Sequence, residues 1–329
     1  MKHAIRLYDL KQRCFCDVPD ANFVLALGNF DGVHAAHHAL LVRAMRLAQK
    51  YSESQKAYSA AWMFDPPSSD VLQNKTDHLT MLEEKLSLLA RCGLDYAFIA
   101  DFAALRDLSA QDFIDEILLC HAHAIHVVCG FHFHFGKGGV GNAQMLIRAL
   151  GSTAVDVIPP IYAFADLGHT VISSTAIRAA LSEGRVETAA RLLGRPYRIT
   201  AIVEQGKGLA RTLGLPTINQ RPAKEKILPM RGVYATLCHM DGKVVAGVTN
   251  VGHRPTTDGE NEWINLETHL LDVNQDLYGK EISVDFIARL RDEMTFSSID
   301  HLKLAIENDV NTVRRLFKEN KSRSVLFFK

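Results

Sequence analysis

Phe23-Val24-Leu25-Ala26-Leu27-Gly28-Asn29-Phe30-Asp31-Gly32-Val33-His34-Ala35-Ala36-His37 decides the fold of the first half of the chain. An apolar run ends at a glycine, Asp31-Gly32 supplies a turn, and Leu40, Leu41, Ala44, Met45 and Ala48 then recur at helical spacing. Strand, tight turn and amphipathic helix in this order open a parallel α/β unit. The pattern continues: Tyr58–Phe64, Leu94–Ala100, Ile125–Gly130 and Ala154–Ile158 read as further strands. Helices near Leu82–Cys92, Ser109–Cys120 and Asn142–Leu150 separate them. This predicts a Rossmann-like parallel sheet covered on both faces. Ligands of such sheets gather beyond the carboxyl ends of the strands, where Gly28–His37 and Gly130–Gly141 fall.

Further along, Ser173-Ser174-Thr175 opens a helix to about Leu181, and Val186–Leu193 forms another before Gly194-Arg195-Pro196. The pattern then changes. Tyr197–Val203, Gly232–His239, Lys243–Val248, Ile264–Leu271 and Ile282–Ile287 are strand-like and joined by Gly, Pro and Asp-Gly turns without helices. Asp241-Gly242 is a two-residue hairpin signal. A small antiparallel barrel follows, closed by an amphipathic helix from about Ser298 to Phe317 that repeats Leu302, Ile306, Val310, Val313 and Phe317. The boundary belongs near residues 183–196, giving domains 1–183 and 184–329. The tail Lys318–Lys329 is expected to be loosely held.

With 329 residues the chain can bury two cores, and 47% hydrophobic with 22% charged residues excludes a disordered chain. Zero formal net charge argues against a nucleic-acid binder, which would show a basic excess. No apolar run approaches a membrane span or a secretory signal. Cysteines 14, 16, 92, 120, 129 and 238 form no Cys-x-x-Cys pair and read as reduced packing residues. A cytoplasmic protein is expected.

The chemistry of the second half lies in Gly206-Lys207-Gly208-Leu209-Ala210-Arg211-Thr212-Leu213-Gly214, followed by Leu215-Pro216-Thr217-Ile218-Asn219. The glycines let backbone approach a phosphate, with Lys207 and Arg211 beside them. Thr217 offers a hydroxyl to Mg²⁺, and Asn219, two residues on in an extended segment, points to the same side. Glu267 stands mid-strand with Leu266, Thr268 and Leu270 on the opposite face. Singly these read as turn residues and a solvated glutamate. Together they combine a magnesium-phosphate binder with a general base, the set that phosphoryl transfer to a small alcohol needs.

Residues 186–318 resemble riboflavin kinase. The resemblance rests on this segment and on Leu193-Gly194-Arg195-Pro196-Tyr197, Gly232-Val233-Tyr234, Asn250-Val251-Gly252-His253-Arg254-Pro255-Thr256, Asp276-Leu277-Tyr278-Gly279-Lys280 and Arg291-Asp292-Glu293-Met294-Thr295-Phe296. It implies a six-stranded barrel that binds Mg-ATP and riboflavin. Thr217 and Asn219 would hold metal and phosphates, and Glu267 would take the proton of the ribityl 5′-hydroxyl. The loop with Gly206, Gly208 and Gly214 would close over the nucleotide, and Asn250 and Arg291 would border the flavin. Ala210 replaces the glycine usual before the loop arginine.

In the first half, His34 and His37 stand three apart at a helix start, where imidazoles share one side near the positive helix end. They can steady a triphosphate and the charge on departing pyrophosphate. Leu79-Thr80, Glu84-Lys85, Leu94-Asp95, Phe133-His134-Phe135-Gly136-Lys137 and Ile172-Ser173-Ser174-Thr175-Ala176-Ile177-Arg178 complete the set. With these, residues 1–182 resemble the adenylyltransferase half of bifunctional bacterial riboflavin kinase/FAD synthetase. That implies a nucleotidyltransferase-like domain making FAD from FMN and ATP. Gly28, Asn29 and Phe30 would shape the nucleotide pocket, and Ser173, Ser174, Thr175 and Arg178 would hold phosphate. Three positions depart from the pattern: Ala36 replaces a glycine, Pro67 a histidine, and His132 an Asp or Asn.

Phe131-His132-Phe133-His134-Phe135 alternates strictly, so as a strand it would place three phenylalanines in the core and two histidines in the cleft. With His121, His123 and His126 upstream, a zinc site is the alternative. Two other readings of the whole chain stand beside the bifunctional enzyme. One is a riboflavin kinase with an inactive first half, the other a flavin- or nucleotide-sensing protein.

Overall fold

The computed structural model describes residues 3–6, 8–9, 14–15, 19–65, 67, 77–163, 168–205, 216–254, 263–273 and 275–321. The chain forms two compact units, Met1–Ser174 and Thr175–Lys329.

The first unit is built on six parallel strands: β1 (His3–Arg6), β2 (Asn22–Leu27), β3 (Ala57–Phe64), β4 (Tyr96–Ala100), β5 (Ala124–Gly130) and β6 (Val155–Ile158). Their order across the sheet is β1-β4-β3-β2-β5-β6. The order reverses at β2, whose successors lie on one side while β5 and β6 lie on the other. Leu27 and Cys129 pair at the ends of β2 and β5, so the loops after Gly28 and Gly130 leave adjacent strand ends. That is the switch point at which open α/β sheets bind ligands.

Burial on both faces explains why β2 is continuously apolar rather than alternating. Phe23, Leu25 and Leu27 face one core with Trp62, Phe98 and Ile117, whereas Val24 and Ala26 face another with Leu41, Ala44 and Leu89. Helix α1 (Ala35–Tyr51) buries Leu40, Leu41, Ala44, Leu47 and Ala48, the face read from spacing with Met45 at its half-buried margin. Helices α2 (Leu82–Arg91) and α3 (Ala143–Leu150) also fall where periodicity puts them.

Three features differ from the sequence reading. Strand β1 pairs with β4 along its length, although its short mixed sequence carries no strand pattern. The helix expected at Ser109–Cys120 is α-helical only over Ala110–Asp112 and π-helical over Phe113–His121, where Ala122 N–H reaches Ile117 O. Residues Phe131 to Phe135 do not form one strand. Phe131 N–H donates to Ile158 O and Phe133 N–H back to Gly130 O, which makes a turn, and only His134–Phe135 is extended. Consequently Phe131 is exposed, Phe133 half-buried and only Phe135 buried, so the expectation of three core phenylalanines is corrected.

In the second unit, α4 (Ser174–Ser182) and α5 (Val186–Leu193) precede a closed barrel. Gly194 ends α5 in the left-handed conformation with φ 77°, a helix stop for which glycine costs least. The barrel strands are β7 (Tyr197–Glu204), β8 (Thr217–Gln220), β9 (Gly232–Met240), β10 (Lys243–Arg254), β11 (Trp263–Leu270) and β12 (Glu281–Arg291), closed in the order β7-β8-β11-β10-β9-β12. Short β8 supplies the closure that periodicity alone did not count as a strand. Tyr197, Tyr234 and Phe286 pack together inside. Inward threonines are satisfied by one another: Thr249 Oγ1 lies 2.8 Å from Thr236 Oγ1 and 2.9 Å from Thr268 Oγ1. Outside, Val233, Ala235 and Val248 pack against Val310, Val313, Leu316 and Phe317 of α6 (Ile299–Lys321). The helix thus runs past Phe317, into the expected loose tail; residues 322–329 lie outside the described ones. No helix among the described residues is long and apolar enough to cross a membrane.

Candidate active sites

Side chains of directly opposed residues in a sheet share one face. In the barrel Asn219 opposes Glu267, Glu267 opposes Asn250, Asn250 opposes Val233, and Val233 opposes Arg291. One transverse row across five strands therefore carries four of the residues singled out from sequence. Thr217 lies on the same face, opposite His269. The intervening Ile218, Leu266, Thr268 and Leu270 are buried inside, which makes this the outer face. Glu267 is exposed, Thr217, Asn250 and Arg291 are half-buried, and Asn219 is buried.

Asn219 Oδ1 accepts from Asn265 Nδ2 at 3.0 Å, and His269 Nδ1 donates to Pro216 O at 3.0 Å. The Arg291 guanidinium is bound to Asp309 of α6, with Nη2 to Oδ2 at 2.8 Å and Nε to both oxygens at 3.2 Å. Gly252, opposite Asn265, leaves the space of its missing side chain to the Glu293 carboxylate. Sequence reading passed over Asn265, although its place two residues before Glu267 puts it on the base's face. Gly206, Lys207, Gly208, Arg211 and Gly214 lie outside the described residues, as do Pro255 and Thr256.

At the switch point of the first unit, His34 is the N-cap of α1 with φ −77° and ψ 174°, and its Nδ1 accepts from His37 N–H at 3.3 Å. The two imidazoles stack with centroids 3.6 Å apart and planes 12° apart. His34 is buried and His37 half-buried. The spacing expectation of one shared side is met.

The loop that delivers them bends sharply: φ is 49° at Phe30, 84° at Gly32 and 37° at Val33. A β-branched residue at positive φ is strained and persists only where its surroundings hold it. Asp31 does this. Its buried carboxylate accepts from Leu79 N–H and Thr80 N–H, both at 3.0 Å, and from Thr80 Oγ1 at 3.2 Å. Gly32 N–H donates to Thr80 Oγ1 at 2.9 Å, and Ser174 Oγ donates to Asp31 O at 2.8 Å. The Phe30 ring is fully buried, 3.4 Å from where a Cβ on Gly28 would lie, while Asn29 is exposed.

Ser173 immediately precedes α4 and is half-buried, Thr175 is exposed, and Arg178 is half-buried within the helix. Ala36 is half-buried in the first turn of α1, Pro67 is buried, and His132 is exposed in its turn. The zinc alternative is corrected: no three His, Cys, Asp or Glu side chains among the described residues gather closely enough to hold a metal. His126 instead bonds Tyr51 through Nδ1 at 3.2 Å and faces Asp156 through Nε2 at 3.5 Å. Burial keeps its imidazole below the ordinary value, against the opposing pull of Asp156.

Comparison with known proteins meets this geometry. A FAD synthetase family model matches residues 17–176, which hold strands β2 to β6 of the parallel sheet, and a riboflavin kinase model matches residues 193–317, the barrel and most of α6. A bifunctional riboflavin kinase/FMN adenylyltransferase of Escherichia coli strain K12 is 37% identical over 303 residues, 91% of this chain and 94% of the relative. The chain belongs to this bifunctional family. A Listeria monocytogenes serovar 1/2a member is 34% identical over 304 residues, 91% of this chain and 93% of its own. A crystal structure from Streptococcus pneumoniae, described as a macrolide-efflux protein, has a TM-score of 0.80 at 28% identity and covers 94% of this chain and 98% of that one.

Proposed function

We propose that the chain converts riboflavin to FMN on the barrel and FMN to FAD at the switch point of the sheet, consuming ATP in both steps. The observation that carries the kinase reading is the transverse row joining Asn219, Glu267 and Asn250. Glu267 is exposed and its side chain makes no hydrogen bond among the described residues, which leaves its carboxylate available to an incoming hydroxyl. It would take the 5′-hydroxyl proton as the alkoxide forms, while the γ-phosphoryl group is presented in line.

Thr217 and Asn219 offer a hydroxyl and an amide oxygen on the same face. Such neutral hard oxygens suit Mg²⁺, which takes few protein ligands and completes its shell with substrate phosphates and water. When bound, the metal would offset charge on the transferring phosphate. The Gly206–Gly214 segment, with Lys207 and Arg211, would cover the nucleotide. Asn250 beside the base and Arg291 at the end of the row would border the flavin.

In the first unit, His34 and His37 at the α1 N-terminus would face the triphosphate, with Ser173 and Ser174 supplying further donors. Gly28, Asn29 and Phe30 would shape the pocket. An FMN phosphate oxygen would attack the α-phosphorus and pyrophosphate would leave, stabilised by fixed donors rather than through a covalent enzyme intermediate. We place the division of labour at residues 183–184 and the reaction in the cytoplasm.

Incubation of the purified protein with riboflavin, ATP and Mg²⁺, followed by chromatographic separation of flavins, tests both halves. FMN followed by FAD is expected. FMN alone would remove the adenylyltransferase reading and assign the departures at Ala36, Pro67 and His132 as inactivating. No product would remove the enzyme reading in favour of a sensor.

A further inference from the structure

Glu267 is flanked on its own face of β11 by Asn265 and His269, and each of these reaches across to β8. Asn265 Nδ2 donates to Asn219 Oδ1, and His269 Nδ1 donates to Pro216 O, both at 3.0 Å. A backbone carbonyl can only accept, so His269 carries its proton on Nδ1. The two bonds pin the Thr217–Asn219 segment at both ends to the strand that carries Glu267. Asn219 is buried although its face is the outer one, so its amide has little freedom to turn. Its oxygen has two lone pairs, and Asn265 occupies one.

We propose that Asn265 and His269 are positioning residues of the phosphoryl-transfer site. They preset the Asn219 amide oxygen and the backbone before Thr217 relative to Glu267, so that metal-nucleotide and base are aligned before riboflavin binds. The proposal rests on reading Thr217 and Asn219 as the metal-holding pair. Hydrogen bonds behind a metal ligand fix its orientation, and their loss weakens metal binding on the order of 10- to 100-fold. Asn265 was invisible as an isolated residue because its meaning depends on the β8–β11 register, in which Asn219 opposes Glu267.

The test uses the full-length protein, isotope-labelled, with ADP present. Mn²⁺ is titrated while paramagnetic broadening is read at the Thr217 backbone amide and the Asn219 side-chain amide, a metal affinity obtained without turnover. The Mg²⁺ concentration giving half-maximal FMN formation is measured in parallel. Asn265→Ala and His269→Ala are each expected to weaken Mn²⁺ affinity and to raise the Mg²⁺ requirement by about 10-fold. His269→Asn, which can present a donor near the Nδ1 position, is expected to restore most of the loss. Asn265→Ser replaces Asn265→Ala if the latter does not fold, as judged by its thermal midpoint.

Affinity and Mg²⁺ requirement within twofold of wild type in both donor-less variants would overturn the proposal. Failure of His269→Asn to recover would overturn it for His269. If the wild-type protein itself shows no broadening at Thr217 and Asn219, the metal reading falls and the proposal with it. Broadening without FMN formation would instead sink the kinase reading alone.

Discussion

The two sites are positioned by opposite means. On the barrel, Asn219, Glu267, Asn250 and Arg291 lie 72 residues apart from first to last, yet ladder register puts the first three on one row and a register shift between Val233 and Tyr234 brings Arg291 to its end. At the sheet, His34 and His37 are neighbours in sequence, but delivering them takes positive φ at Phe30 and Val33 and a buried carboxylate that grips Leu79 and Thr80. A register-built site tolerates local change as long as the strands pair. A loop-built site depends on the few bonds that hold its strain.

The largest expected effects separate the two chemistries. Glu267→Gln keeps the shape of the row and removes the base, so FMN formation should fall by about 100-fold or more while FAD formation from supplied FMN persists. His34→Ala should give the reverse, with FAD formation lowered on the order of 100-fold and riboflavin phosphorylation retained. Steady-state assays of each step on each variant check both, and equal loss of both activities in either variant would contradict the separation.

A more moderate effect probes the grip on the strained loop. Asp31→Ala strands the buried Leu79 and Thr80 amides, and the first unit should lose about 2–3 kcal/mol. Urea unfolding should show that loss, with FAD formation failing and FMN formation surviving. The corresponding loss should not follow from Asn250→Ala, since Asn250 is half-buried and its strand pairs through backbone groups.

The smallest effect is one of pH. Burial holds His126 below its ordinary value, so in acid the unfolded chain takes up this proton before the folded one does. The stabilisation from its neutral ring is therefore complete above about pH 6.5 and declines as pH falls below it. The thermal midpoint of the first unit should drop between pH 7.5 and 5.5, and His126→Gln should flatten that dependence.

Much of this was legible before any coordinates. Apolar runs joined by glycine turns marked β2 to β6, and the change from helical to alternating period at Tyr197 marked the barrel. Burial on both sheet faces writes itself as continuous hydrophobicity, and burial on one face as alternation. The same rule misled at Phe131–Phe135, where period-two alternation belongs to a turn and a two-residue strand. Alternation records which side chains could share a face, not whether the backbone stays extended. The π-helical stretch at Phe113–His121 left no mark either, since its apolar residues fit an α-helical stripe equally well.

The sequence by itself determined the fold classes, the order of the units and the chemical identity of the groups: a carboxylate, two hard oxygens, two imidazoles and a Ser-Ser-Thr helix start. These follow from composition and local spacing, which are properties of neighbouring residues. Only the tertiary structure decided that Asn219, Glu267 and Asn250 stand in one row, that Asp31 holds a strained loop through Leu79 and Thr80, and that Asn265 and His269 pin Thr217–Asn219 from either side of the base. Strand register and buried hydrogen bonds join residues far apart in the chain, and they are selected by closure of the barrel and packing of the core rather than by any local pattern.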